Sequence, residues 1–222
     1  MHDKAKLAWH FLRDDGRCGY SKARPKPGGT EKVSTRRKPL ALCEWGLHAS
    51  ENIIDALVYA GGALLRRVEL GGEILDGGDK CCAAERRELW RMDTSRVLHE
   101  FACWCAERAL KRERKAGYEP DPRSWNVIKV KRLWLNGKAA KAELDAARET
   151  AWEAAADAAW NAARETAWEA AKTTAWNAAR ITGLAAAMID AGDIAAWAAE
   201  RKAQDRKLLS MVMRAAKERG LC

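Results

Sequence analysis

"ALLRRVELGGEIL", residues 63–75, decides the fold. Ala63 to Leu70 is the clearest strand in the chain: its Leu and Val residues suit a pleated, half-buried surface, and glycine pairs bound it on both sides. Gly71-Gly72 reads as a turn into a short second piece, "EIL", and Asp76-Gly-Gly-Asp79 as another turn. A strand here sets an α+β class. It places a small mixed α/β domain at residues 1–93, ahead of an all-helical, Ala/Trp-rich C-terminal region.

Outward from that strand, Leu7 to Leu12, "LAWHFL", is a further candidate strand. Residues 21–38, "SKARPKPGGTEKVSTRRK", read as a long, mobile, basic loop with two Pro and two Gly. Pro39 to Cys43 and Gly46 to Ala49 read as short extended pieces. Ser50 suits the N-cap of a helix from Glu51 to about Ala60, with Ile53, Ile54, Leu57 and Val58 facing inward and Gly61-Gly62 as the stop.

Residues 94–137 predict two connecting helices. The first, capped by Thr94 or Ser95, puts Val97, Phe101, Trp104 and Cys105 near one side and crowds basic residues at its end, where the helix dipole favours them. The second opens on Asp121-Pro122, a cap followed by a first-turn proline, and ends at Asn136-Gly137. Residues 138–222 carry a long helix over about 139–181, free of Gly and Pro, then helices to about 219.

The long helix holds octads: "AWEAAADA" (151–158), "AWNAARET" (159–166), "AWEAAKTT" (167–174) and "AWNAARIT" (175–182). Eight residues advance a helix about 800°, roughly 80° past two full turns. Trp152, Trp160, Trp168 and Trp176 therefore march around the helix, and their Ala/Thr face circles it in about 54 Å. A regular coiled coil has a pitch of ~140–210 Å, so one partner helix cannot follow this face. Either one continuous helix meets several neighbours, or the segment breaks near Thr150 or Thr166, which open capping-box spacings. The absence of Gly and Pro favours continuity. These four Trp, with Trp197, read as packing residues or as anchors for a partner or a second copy of the chain.

The net charge of +9 is uneven: residues 1–140 hold 28 Lys/Arg against 19 Asp/Glu, and residues 141–222 hold 12 against 12. Two clusters carry the surplus. One includes Lys22, Arg24, Lys26, Lys32, Arg36, Arg37 and Lys38; the other includes Lys111, Arg112, Arg114, Lys115, Lys131 and Arg132. Such clusters attract polyanions, or else form solvated faces. No apolar run approaches the ~20 residues of a membrane span, and Met1 to Phe11 has no apolar signal core, which predicts a cytoplasmic protein without a membrane partner. Seven cysteines, an odd number, predict reduced thiols. His99 and Cys103 share a helix face, but Cys105 points away, so no metal site and no cofactor are expected.

Residues 39–80 resemble an uncharacterised domain of phage, prophage and bacterial proteins. The resemblance rests on Gly46, His48 and Ser50, then Val68, Glu69, Gly71, Gly72, Glu73 and Ile74, then Asp79 and Lys80, and on the Ala/Trp-rich helices behind them. It implies a small accessory protein without an established reaction. A more distant likeness, to the first half of an ADP-ribosyltransferase fold, implies that His10, His48 and Ser50 hold the nicotinamide of NAD and that Glu69 or Glu73 acts on the ribose. The spacing departs from that family's, and the glutamates come early. The expectation favoured by the charge map is a non-enzymatic binding protein that docks on a host protein or a nucleic-acid-handling complex, with nucleic acid as a contact of the basic clusters. Counter-defence, meaning inhibition of a host immune complex, is what the phage resemblance adds. An ADP-ribosyltransferase-like or NAD-binding protein is the alternative.

Overall fold

The strand foreseen at residues 63–70 does not turn at Gly71-Gly72 but runs on to Asp76. The computed structural model describes residues 5–19, 21–162 and 194–222. Its strands are β1 (Lys6–Leu12), β2 (Thr30–Lys32), β3 (Leu47–Ala49), β4 (Leu64–Asp76) and β5 (Cys81–Asp93). Its helices are α1 (Ile53–Val58), α2 (Ser95–Lys115), α3 (Pro122–Leu135), α4 (Lys141–Ala162) and α5 (Ile194–Glu218). The architecture is α+β, with one antiparallel five-stranded sheet. Contacts divide the chain into two units, Met1–Val97 with Asp205–Cys222, and Leu98–Gln204.

In the first unit β4 and β5 form a long hairpin, with β1 on the far edge of β4. The free edge of β5 takes β3 at Cys81–Ala83 and β2 at Glu85–Arg87. Ala49, at the end of β3, pairs with Cys81, and the next residue, Ser50, exchanges two backbone hydrogen bonds with Trp9 of β1, at 2.7 and 2.9 Å. The sheet thus curls until its edges meet. Two irregularities in the β4–β5 ladder allow the bend. One leaves Leu89 without an opposite residue; the other sits at Gly72, whose φ of +69° suits glycine. Ala8, Ala49, Val68, Leu70, Cys81 and Ala83 make a buried cluster of mostly small side chains. The row Trp9–Arg67–Trp90 runs across three strands, with the Arg67 guanidinium 4.2 Å from the centre of the Trp9 ring.

The predicted mobile loop at 21–38 is instead tied down, because it contains β2 and hydrogen-bonds to β5 on either side of it. Glu88 N–H donates to the Gly29 carbonyl, and Val33 N–H to the Ala84 carbonyl. Ser50 is spent on the bridge to Trp9, so α1 begins later, behind Asn52, which makes no side-chain cap. With only six residues, α1 buries Ile53, Ile54 and Ala56 and leaves Val58 exposed. The Asp205 carboxylate of α5 accepts from the Ile54 N–H. Leu208, Val212 and Ala216, four residues apart along α5, form a buried stripe.

In the second unit Asp121 caps α3 by accepting from the Arg123 N–H, ahead of Pro122. α3 packs on α4. α4 passes Thr150 without a break, the Thr150 hydroxyl donating back to the Ala147 carbonyl at 3.1 Å. Thr166, Trp168 and Trp176 lie outside the described residues. No helix among the described residues is long and apolar enough to cross a membrane.

Candidate functional site

Strand register gathers charge inside the first unit. His10, Arg66 and Arg91 stand in one cross-strand row, and Glu31 faces Arg86 across the β2–β5 pair. Arg66 is 0% exposed; its Nη1 donates to Glu31 at 2.9 Å and to Glu88 at 3.4 Å. Arg86 closes a fork on Glu31 at 3.0 and 2.9 Å. Arg91 closes another on Glu88, both bonds 2.7 Å. Burial, then the charges of Arg86 and Arg66, hold His10 well below its ordinary pKa. Its neutral ring lets Nδ1 accept from Arg66 at 3.1 Å. Burial alone would raise the Glu31 pKa, but the hydrogen bonds and charges of Arg86 and Arg66 outweigh it and hold the carboxyl low.

This cluster fixes the basic loop. Glu88 accepts from the Gly28 N–H at 3.1 Å, and Arg91 donates to the Pro25 carbonyl at 3.1 Å. Downstream, the Trp45 indole N–H donates to the Ser34 carbonyl at 3.3 Å. What the loop turns outward is cationic. Lys32 is paired with Glu85 at 2.7 Å. Arg36, Arg37 and Lys38 are exposed, and among the described residues none of them has a carboxylate in ion-pair range. Lys38 lies 5.5 Å from the centre of the Trp45 ring.

The second basic cluster is placed differently. Lys111 and Arg132 both pair with Glu107, Arg112 pairs with buried Glu200, and Arg114 pairs with Glu119 while lying over Trp125. Lys131 lies 4.2 Å from the Trp134 ring centre. Lys115 is exposed at the end of α2. Most of this run therefore neutralises or packs within its own unit.

Of the residues implied for NAD, His10, His48 and Ser50 come together beside Arg86, which donates to the His48 carbonyl. The His48 ring nitrogen Nε2 accepts from the Cys43 N–H at 3.0 Å. Ser50 is buried. Glu69 pairs with Arg87, and Glu73 stands exposed seven residues beyond Arg66 along β4. His99 packs edge-on against Trp134, with ring centres 5.8 Å apart. Cys103 and Cys105 are buried, and burial pushes the Cys105 thiol up to about 12. Among the described residues, Glu51, Asp76 and Cys81 bring ligand-type atoms within 4.8 Å of one another. The Lys6 ammonium already lies on that group, bonded to Glu51 and, at 3.0 Å, to Asp76. Trp152 is 39% exposed. Trp160 and Trp197 fall within α4 and α5.

Sequence reasoning did not pick out Glu31, Arg66, Arg86 or Glu88 as a group, nor Trp45 and Tyr59. The one signal for the four charged residues was their sitting where a strand's apolar face belongs. No protein-family model, no curated protein and no solved structure matches this chain.

Proposed function

We propose that this chain is a binding protein whose first unit holds a polyanion, nucleic acid foremost, on the face formed by Arg36, Arg37 and Lys38. The observation that carries this reading is the contrast between these three cations and the rest. The loop bearing them is hydrogen-bonded to the sheet, yet they have no acid in reach, whereas Lys32 and most of the second basic cluster are paired. A fixed backbone lowers the entropy lost when a ligand is gripped, and unpaired cations release counterions from a phosphate chain. Docking on a host nucleic-acid-handling complex, with counter-defence as its purpose, is the biological form that the phage-type resemblance suggests.

The test is a salt titration of nucleic-acid binding by the wild type and by the triple variant Arg36→Glu, Arg37→Glu, Lys38→Glu. Three phosphate contacts predict that log K falls with log salt, and that the variant's slope is shallower by roughly two to three. Wild-type binding that is flat with salt, or unchanged in the variant, would overturn the reading.

A further inference from the structure

Two aromatic rings, Trp45 half-buried and Tyr59 exposed, each have a lysine over the face and lie on connected segments beside the cationic loop. Trp45 carries Lys38. Tyr59, 49% exposed, carries Lys80 at 4.4 Å from its ring centre, and its hydroxyl donates to Asp79. The end of β5 joins the two pairs. The Cys82 thiol donates to the Trp45 carbonyl at 3.0 Å, His48 stands opposite Cys82 in the ladder, and Lys80 immediately precedes the strand. Lys80 is also near enough to His48 to help hold its imidazole below the usual value, after the larger effect of burial. Hydrogen bonds hold both rings, through the indole N–H to Ser34 and through the phenol to Asp79.

Duplex nucleic acid offers phosphates but keeps its base faces stacked inside. A single strand offers both, and binding sites for it combine cations along the backbone with aromatic rings under the bases. We infer that this face takes single-stranded nucleic acid, with Trp45 and Tyr59 as stacking platforms and Arg36, Arg37, Lys38 and Lys80 on the phosphates. The inference rests on the polyanion reading above and adds a strand preference to it. A base stacking on Trp45 displaces the Lys38 ammonium from the ring, and the ammonium then meets the neighbouring phosphate.

The experiment is fluorescence anisotropy on the full chain. The probes are a labelled single strand of about 16 nucleotides, the matching duplex, heparin as a polyanion without bases, and an acidic polypeptide. The single strand should bind at least about tenfold more tightly than the duplex. Trp45→Ala and Tyr59→Ala should each weaken it by about 5- to 100-fold. Both should leave heparin affinity within about twofold, and Trp45→Phe should recover most of the loss; that recovery, with an unchanged thermal melt, separates stacking from misfolding. Equal affinity for single strand and duplex, or equal losses toward single strand and heparin, overturns the inference and leaves the polyanion reading standing. Binding of the acidic polypeptide alone, or charge reversal at Arg36–Lys38 without effect on any probe, overturns both.

Discussion

Glu31 shows how one side chain turns an expected loop into structure. Its carboxylate is shared by Arg66 and Arg86, both buried, and only Glu88 offers Arg66 another acid. Removing a partner from a buried ion pair leaves a charge without compensation, which costs far more than the pair itself contributes. Glu31→Ala is therefore expected to destabilise the first unit by about 3 kcal/mol, whereas Glu85→Ala, which breaks only the exposed pair with Lys32, should cost less than about 1 kcal/mol. Because the Glu31 pKa is depressed in the fold, its contribution is present above the unfolded carboxyl value near ~4.3 and is lost as pH falls through the lower folded value. Urea midpoints between pH 7 and pH 3 should show a shallower acid decline in Glu31→Ala than in the wild type. Equal midpoints for the two variants at pH 7 would mean that Arg66 and Arg86 do not depend on this carboxylate.

At the scale of elements, curvature depends on positions where a side chain has no room. Gly46 has φ +129°, and a Cβ there would stand 2.1 Å from Cys82 Sγ and 2.9 Å from Leu40 Cδ2. Gly72 has φ +69°, and its Cβ would stand 3.2 Å from the Ala84 Cβ and in ordinary contact with Glu85, at 3.5 Å. Gly72→Ala should thus cost about 1–2 kcal/mol, the penalty of the left-handed region. Gly46→Ala adds overpacking against Cys82 and should exceed about 3 kcal/mol; urea midpoints that reverse this order would contradict the packing described for β3. The same elements show why the sequence is legible in parts. β4 was readable at 64–70 because Leu and Val fill it, but its continuation was not, because a glycine pair signals a turn as well as a bulge. β5 reads "CCAAERRELWRMD", rich in helix formers, and is a strand because β4 holds one edge and β2 and β3 the other. α3 was legible at both ends because Asp121-Pro122 and Asn136-Gly137 act locally. Of the candidate site, Arg36–Lys38 could be found from charge alone, but Trp45, Tyr59 and Lys80 are joined only in the fold, by the Cys82 bond to Trp45 and the Lys80 contact with Tyr59.

For the molecule as a whole, net charge identifies cations without saying which are free to bind. The two basic clusters look alike in composition, yet the second is mostly answered from within: Glu107 takes Lys111 and Arg132, and Glu200 takes Arg108 and Arg112. Glu200 is buried, so a carboxylate placed beside it in Arg112→Glu meets a like charge with little solvent between them. Exposed Arg36 and Arg37 have no such partner. Charge reversal should therefore separate two properties that composition alone would merge. Arg112→Glu with Arg132→Glu is expected to lower the melting temperature by several degrees, at roughly 2–4 °C per kcal/mol for a chain of this size, while nucleic-acid affinity of the folded protein changes by less than about threefold. Arg36→Glu with Arg37→Glu should leave the melt within about one degree and weaken binding by at least about tenfold at low salt. Thermal melts and binding isotherms on the same four preparations, the wild type, each double variant and their combination, measure both. If both double variants lose affinity equally while their melts stay unchanged, the pairs at Glu107 and Glu200 do not hold their arginines back from the ligand, and the second unit binds it as well.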